Sequence, residues 1–138
     1  MTALLYQPPS TDRPVEDSLL RFALRADATV CAGVGLMVAM AADQLARIAG
    51  LTPTAGWLVG AALVGYGALL YALAAAPHVR RIGIGVLTGN TAFAVAAVTA
   101  LITGWWVLTA TGQVLVLGFV AVTAVLAWLQ YRGVRRLA

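Results

Sequence analysis

The 138-residue chain has no lysine and few charged side chains: nine arginines and five acidic residues, together 10% of the sequence. A soluble domain is about a quarter charged, because it must cover a large surface with polar groups. Here 62% of the residues are hydrophobic. The scarcity of charge therefore excludes an ordinary soluble enzyme and an intrinsically disordered chain, and it indicates a small integral membrane protein. A basic chain can bind nucleic acid, but these arginines flank apolar runs, so we expect no nucleic-acid partner.

Cysteine and histidine are each represented once, by Cys31 and His78. One cysteine cannot form an intrachain disulfide, and one histidine cannot supply a bis-histidine haem site. The chain also has no nucleophile elbow, no phosphate-binding glycine loop and no HExxH sequence. The sequence therefore predicts a non-enzymatic protein that has no catalytic residue, no metal site and no cofactor.

Four apolar segments, at about 20–48, 53–76, 81–103 and 111–131, make up most of the chain. About 20 apolar residues in a helix cross a hydrocarbon core, and lipid offers no partner for free backbone groups, so helices are the expected form. Thr52 and Pro53 are typical of an N-cap followed by the first helical residue. The sequence predicts an all-α fold with four transmembrane helices in an antiparallel bundle. Residues 1–19 are then an N-terminal tail with a short lead-in helix, and residues 132–138 are a basic C-terminal tail.

The arginines lie mainly on one side of the predicted bundle. Arg47, near the end of the first segment, is alone on the other side, whereas eight lie in the N-terminal flank, the second connection and the C-terminal tail: Arg13, Arg21, Arg25, Arg80, Arg81, Arg132, Arg135 and Arg136. Cytoplasmic loops carry the excess of arginine in membrane proteins. The distribution therefore predicts that both termini are cytoplasmic. Trp57, Trp105 and Trp106 then fall at the outer interface, and Trp128 and Tyr131 fall at the inner one.

The first apolar segment contains two acidic residues, Asp27 and Asp43. Only 15 uncharged residues separate them, about 22 Å of helix, which is shorter than a hydrocarbon core of about 30 Å. At least one carboxylate must therefore lie below the interface or the bilayer must thin locally. Arg47 follows Asp43 by four residues, the spacing of a helical ion pair, and Asp17 and Arg21 have the same spacing.

Asp27 has no residue of opposite charge at this spacing, so we expect its partner on another helix. Arg80 and Arg81 are the first candidates because they lie on the same side of the predicted bundle, and Asn90 is another. An ionisable residue within a membrane span is a functional hypothesis. The alternative, which we favour, is a structural clamp that ties the first helix to the connection between the second and third.

Asn90 and the small residues predict contacts between helices. An asparagine within a span usually bonds to a neighbouring helix, although Asn90 could also line a polar path with Thr99 and Thr103. Gln113 and Gln130 fall near the two interfaces, where no special role is needed. Two GxxxG sequences are present, and small residues at this spacing let helix backbones approach closely: Gly56 with Gly60, and Gly85 with Gly89.

Several short motifs together resemble a group of small, functionally uncharacterised four-helix integral membrane proteins of actinobacteria. The similarity covers about residues 20–136 and rests on the sequence at 24–28, the glycine-rich first helix, Arg80-Arg81, Gly89-Asn90 and Trp105. The resemblance implies a four-span fold in a bacterial plasma membrane. It implies no activity, because no activity is established for that group of proteins.

Two functions from different classes fit these observations. The first is a protein that acts through helix contacts, either as an accessory or assembly subunit of a membrane complex or as a homo-oligomer. The second is a small ion- or proton-coupled transporter or channel that uses Asp27 and Asn90. The second hypothesis also draws on a possible internal repeat, in which the sequence at 51–54 recurs in altered form at 108–111.

Overall fold

The structure, a computed structural model, describes residues 17–137 and is helical throughout its regular elements. Five helices follow one another along the chain: α1 (Ser18–Met40), α2 (Ala42–Ala49), α3 (Pro53–Leu73), α4 (Val79–Ile102) and α5 (Ala110–Arg136). The predicted lead-in turn before Asp17 lies outside the described residues. Within them, α1, α3, α4 and α5 are the four helices that are long and apolar enough to cross a membrane. The all-α class with four such helices is therefore confirmed.

The first predicted helix is two helices. The break falls at Ala41, whose φ of −104° and ψ of 22° leave the helical region, and α2 begins at the next residue. The two helices differ in pattern: α1 is apolar on most sides, whereas α2 buries Ala42, Ala46 and Ala49 and exposes its polar residues. The break lets this alanine face pack against α3 and α5.

The closest helix pair is α1 with α3, and glycines form its contact surface. A Cβ atom on Gly67 would lie 2.6 Å from the carbonyl oxygen of Ala28, and one on Gly60 would lie 2.5 Å from the backbone nitrogen of Ala39. Real Cβ atoms do not approach other atoms so closely, so only glycine fits at both positions. Ala28 of α1 faces Gly67 of α3, and Ala39 faces Gly60, so α1 and α3 run in opposite directions.

The helices are also tied at their ends. Near the start of α1, the Nη1 atom of Arg21 donates hydrogen bonds to the carbonyl oxygens of Ala74 at 2.7 Å and Ala76 at 3.1 Å, which follow the end of α3. The predicted ion pair of Arg21 with Asp17 is confirmed, with Nη2 and Oδ2 at 3.5 Å. The fully buried side chain of Leu20 packs at this end against α4 and α5.

At the other end, Thr109 connects α2 to α5. Its hydroxyl donates to the carbonyl oxygen of Ile48 and accepts from the backbone N–H of Gly112, which caps the start of α5. The backbone N–H of Thr109 also donates to the carbonyl oxygen of Ala49 at 3.1 Å. Gly50, which ends α2, has a φ of +81°, a conformation that favours glycine.

The observed boundaries differ from the predicted ones chiefly in α5. This helix continues past Tyr131 to Arg136, so most of the residues predicted as a basic tail form its final turns. Arginine has a good helix propensity, and Gly133 packs against Leu20 rather than ending the helix.

Candidate functional site: a buried polar cluster

A cluster of polar side chains lies in the interior, with Asp27 at its centre. Asp27 is 2% exposed, and its Oδ2 atom accepts hydrogen bonds from the Nδ2 of Asn90 and the Nε2 of Gln130, both at 2.7 Å. Asn90 is 5% exposed and Gln130 is fully buried. These three residues come from α1, α4 and α5, so the cluster joins three of the long helices at one point.

Two further side chains complete the polar cluster. The hydroxyl of Tyr66, on α3, donates to the Oδ1 of Asn90 at 3.2 Å, and the thiol of Cys31 donates to the Oδ1 of Asp27 at 3.4 Å. The Tyr66 bond fixes the orientation of the Asn90 amide, because it occupies the amide oxygen and leaves the nitrogen to face the carboxylate. All four long helices therefore contribute a side chain.

The electrostatic character of the cluster is unusual because Asp27 has only neutral partners. Among residues 17–137 the one ion pair is Asp17–Arg21, so neither Arg80 nor Arg81 pairs with Asp27 as first predicted. Both arginines are exposed at the start of α4. That start lies about three helical turns from Asn90, and Asn90 is the residue on α4 that reaches the carboxylate.

The predicted clamp therefore has a different target. Asp27 holds α1 to the interior of α4 and α5, and not to the connection before α4. In the described part of the chain no buried polar side-chain atom lacks a partner. A buried polar group without a hydrogen-bond partner costs free energy. Any other placement of the helices would break these hydrogen bonds, so the cluster favours one arrangement of the bundle.

Sequence reasoning assigned no role to Gln130 or Tyr66. The sequence predicts Gln130 near an interface with no special role, whereas in the structure α5 continues past it and Gln130 is buried. A signal was available in the helical spacing: Leu126, Gln130 and Gly133 lie on one face, and all three are buried. Thr99 and Thr103, by contrast, are exposed and donate to carbonyl groups of their own helix, so they form no polar path with Asn90.

Asp43 and Arg47 also depart from the prediction. Both side chains are exposed on α2 at the expected four-residue spacing, but their charged groups are farther apart than 4 Å and form no ion pair. Exposed side chains lose conformational entropy when they pair, so such a bond has little stabilising value in water. The Asp43 carboxylate therefore has no ion pair or hydrogen bond with any of residues 17–137.

The two GxxxG sequences differ in their surroundings. Gly56 and Gly60 are buried, and their neighbours lie on α2 and α1. Gly85 and Gly89 are exposed, and a Cβ atom on either would meet nothing within 4 Å. The second pair therefore makes no helix contact within the described chain.

The polar cluster contains one acidic group and one thiol, and within residues 17–137 no group of three or more His, Cys, Asp or Glu residues is placed to hold a metal ion. Its chemistry is that of a hydrogen-bonded carboxylate: it accepts hydrogen bonds and can accept a proton or a cation. No family model, curated protein or solved structure matches the chain.

Proposed function

We propose that this chain is a non-enzymatic protein of a bacterial plasma membrane that acts through helix contacts. It forms a four-span antiparallel bundle with both termini in the cytoplasm. It serves as an accessory or assembly subunit of a membrane complex, or it associates with itself. The lipid bilayer and other membrane subunits are its partners.

This proposal rests mainly on one observation, a row of small residues that is exposed along one face of α4. A stripe of small residues runs along it at spacings of three and four, and every member is exposed: Gly85, Gly89, Ala92, Ala96, Thr99 and Thr103. Small residues are favoured where helix backbones approach each other in a membrane. The glycines between α1 and α3 are used in this way inside the chain, and the α4 stripe offers the same surface outward.

The surroundings of α4 leave this stripe accessible. α4 packs mainly against α5, makes few contacts with α1 and makes still fewer with α3. A shallow cavity of about 570 Å³ lies along it, lined by Leu87, Thr88, Thr91, Ala92, Val95 and Ala96. A helix from another subunit would fill this space.

The distribution of charge supports the orientation. Arg21 lies near the start of α1, Arg80 and Arg81 lie at the start of α4, and Arg132 and Arg135 lie near the end of α5. Arg132 is 5.0 Å from the ring centre of Trp128, and Arg135 is 5.7 Å from that of Tyr131. Aromatic and basic residues together are typical of a cytoplasmic interface.

The test is to isolate the protein at native expression in a mild detergent and measure the mass and composition of the particle. We expect a stoichiometric partner or a defined homo-oligomer, which Gly85→Leu and Gly89→Leu dissociate without changing the melting temperature. Gly118→Leu is the matched control, because Gly118 is also exposed with nothing within 4 Å but lies on α5. A particle of one chain alone contradicts the proposal.

A second candidate function is ion- or proton-coupled transport through Asp27 and Asn90. It is favoured by one specific observation: Asp27 is a buried carboxylate in an apolar helix, and its partners are all neutral. Intramembrane carboxylates often mark ion or proton pathways. In proteoliposomes, Asp27→Asn should abolish flux of the transported ion while Asp43→Asn retains it. Equal flux in wild type and Asp27→Asn contradicts this function.

A further inference from the structure

A second polar site lies at the end of the molecule opposite Arg21, where α1, α2 and α3 meet. It is an open cavity of about 400 Å³, and Met40, Asp43, Pro53, Thr54 and Trp57 contribute to its wall. None of these residues belongs to the cluster around Asp27. The cavity therefore needs an explanation of its own.

The cavity lies beside the break at Ala41. Asp43, two residues after the break, lines the same cavity as Thr54 and Trp57 from the start of α3. Gly56, on the first turn of α3, lies beside Ala42, since a Cβ atom built on it would be in ordinary van der Waals contact with Ala42. Thr52 fixes the start of α3, because its hydroxyl accepts a hydrogen bond from the backbone N–H of Ala55 at 3.2 Å.

The carboxylate of Asp43 gives the cavity its charge. Asp43 is exposed and makes no hydrogen bond or ion pair with any residue from 17 to 137. Arg47, the one basic residue between Ala41 and Ala76, is not paired with it and does not line the cavity. A cationic ligand would therefore meet an unneutralised negative charge.

The indole of Trp57 gives the cavity a second feature that suits a cation. Its side chain is 57% exposed although it lines the cavity. A cation over the face of tryptophan is attracted by the negative charge of the ring face, and recognition of ammonium groups by aromatic rings is the best-known use of this contact. A carboxylate and an indole that line one cavity match an ammonium group that carries short alkyl chains.

We propose that this cavity binds the ammonium group of an amine-bearing ligand, with Asp43 as the counter-ion and Trp57 as the aromatic contact. Two sources share this chemistry: the headgroup of phosphatidylethanolamine and a free organic ammonium ion. The proposal rests on the membrane placement proposed above, because tryptophan one turn inside a span lies at headgroup depth. It is independent of the partner that binds to α4.

The charge of the site separates this ligand class from two others. An anionic headgroup such as phosphatidylglycerol would be repelled by Asp43. A divalent metal ion needs several oxygen or nitrogen ligands, and the cavity offers one carboxylate. The ammonium group is satisfied by one anion and an aromatic face.

The first arm of the test uses lipid. The purified protein is reconstituted in vesicles of equal parts phosphatidylethanolamine and phosphatidylglycerol, extracted, and its bound lipids are counted by native mass spectrometry. We expect phosphatidylethanolamine to be retained over phosphatidylglycerol, and Asp43→Asn and Trp57→Leu each to reduce that preference about fivefold. Arg47→Gln and Trp105→Leu are matched controls outside the cavity, and both should keep the preference.

The second arm uses tetramethylammonium and ethanolamine with lipid-free protein in detergent, with binding measured by calorimetry. Binding that Asp43→Asn abolishes, without a lipid preference, supports the ammonium site and assigns it to a free amine. Absence of both kinds of binding, or equal binding in wild type and Asp43→Asn, overturns the proposal. Melting temperatures report whether each variant folds. The mass of the particle is read from the same spectra, so loss of ammonium binding with the partner retained is distinct from failure of the proposed function.

Discussion

Gln130 donates a hydrogen bond from its Nε2 atom to the Oδ2 atom of Asp27 at 2.7 Å, across 103 residues of sequence. The bond joins the first long helix to the last. Both side chains are almost fully buried, so the contact contributes to the arrangement of the helices and not to the surface.

The first prediction concerns this bond. Gln130→Leu removes a donor from the Asp27 carboxylate while it keeps a similar volume, and we expect a loss of about 1–3 kcal/mol in the free energy of unfolding. Gln113→Leu is the control, because Gln113 is exposed near the start of α5. Thermal unfolding in detergent measures both. Equal melting temperatures for the two variants would show that the Asp27–Gln130 bond adds no stability.

The second prediction separates the arginines at the basic end. Arg21→Gln should lower the melting temperature, because it removes charged hydrogen bonds to two carbonyl oxygens, with a cost of about 1–3 kcal/mol. Arg81→Gln should leave the melting temperature unchanged, because Arg81 is exposed and does not contact Asp27. A large destabilisation by Arg81→Gln would contradict the observed geometry and restore the ion pair that the sequence first suggested.

The third prediction tests the contact between α1 and α3. Gly67→Ala places a Cβ atom 2.6 Å from the carbonyl oxygen of Ala28, so the helices must separate, and overpacking of this kind costs about 1–3 kcal/mol. Gly65→Ala is the matched control on the same helix, since nothing lies within 4 Å of its Cβ position. We expect that control to be neutral or slightly stabilising because alanine has the higher helix propensity. The reverse order of melting temperatures would refute the proposed packing.

The fourth prediction concerns the connection before α5. Thr109→Val keeps the shape of the side chain but removes the bond to the Ile48 carbonyl and the cap on Gly112. Loss of a helix cap costs about 0.5–2 kcal/mol, and we expect at least that much here. Thr111→Val, at an exposed position two residues later, is the control. Hydrogen exchange at the Gly112 amide should rise in Thr109→Val alone, and unchanged exchange would show that the cap contributes nothing.

The long helices were predictable because their signals are local. Hydropathy, Pro53 after Thr52 and Pro77 after α3 placed α3 and α4 within about three residues at each end, since each signal acts on the next turn of chain. The break at Ala41 was not predictable in this way. Alanine is the strongest helix former, and the break arises from the packing of the alanine face of α2 on other helices.

The polar cluster was predictable only in part. Asp27 and Asn90 stood out because charged and amide groups are costly in an apolar span. Gln130 did not, because its position relative to the end of α5 depends on where that helix stops. Tyr66 did not either, since a tyrosine in an apolar helix is ordinary until a partner is known. The pairing of these residues is a property of the tertiary arrangement.

The position of Asp27 within the chain has a consequence for biosynthesis. A ribosome completes α1 long before it reaches Asn90 and Gln130, so the nascent Asp27 carboxylate has neither amide partner while the first helices enter the bilayer. The last two long helices then arrive with the donors that it requires. A chain truncated before Gln130 leaves this carboxylate short of one donor. The Asp27 carboxylate therefore has both of its amide donors only after α5 has been synthesised.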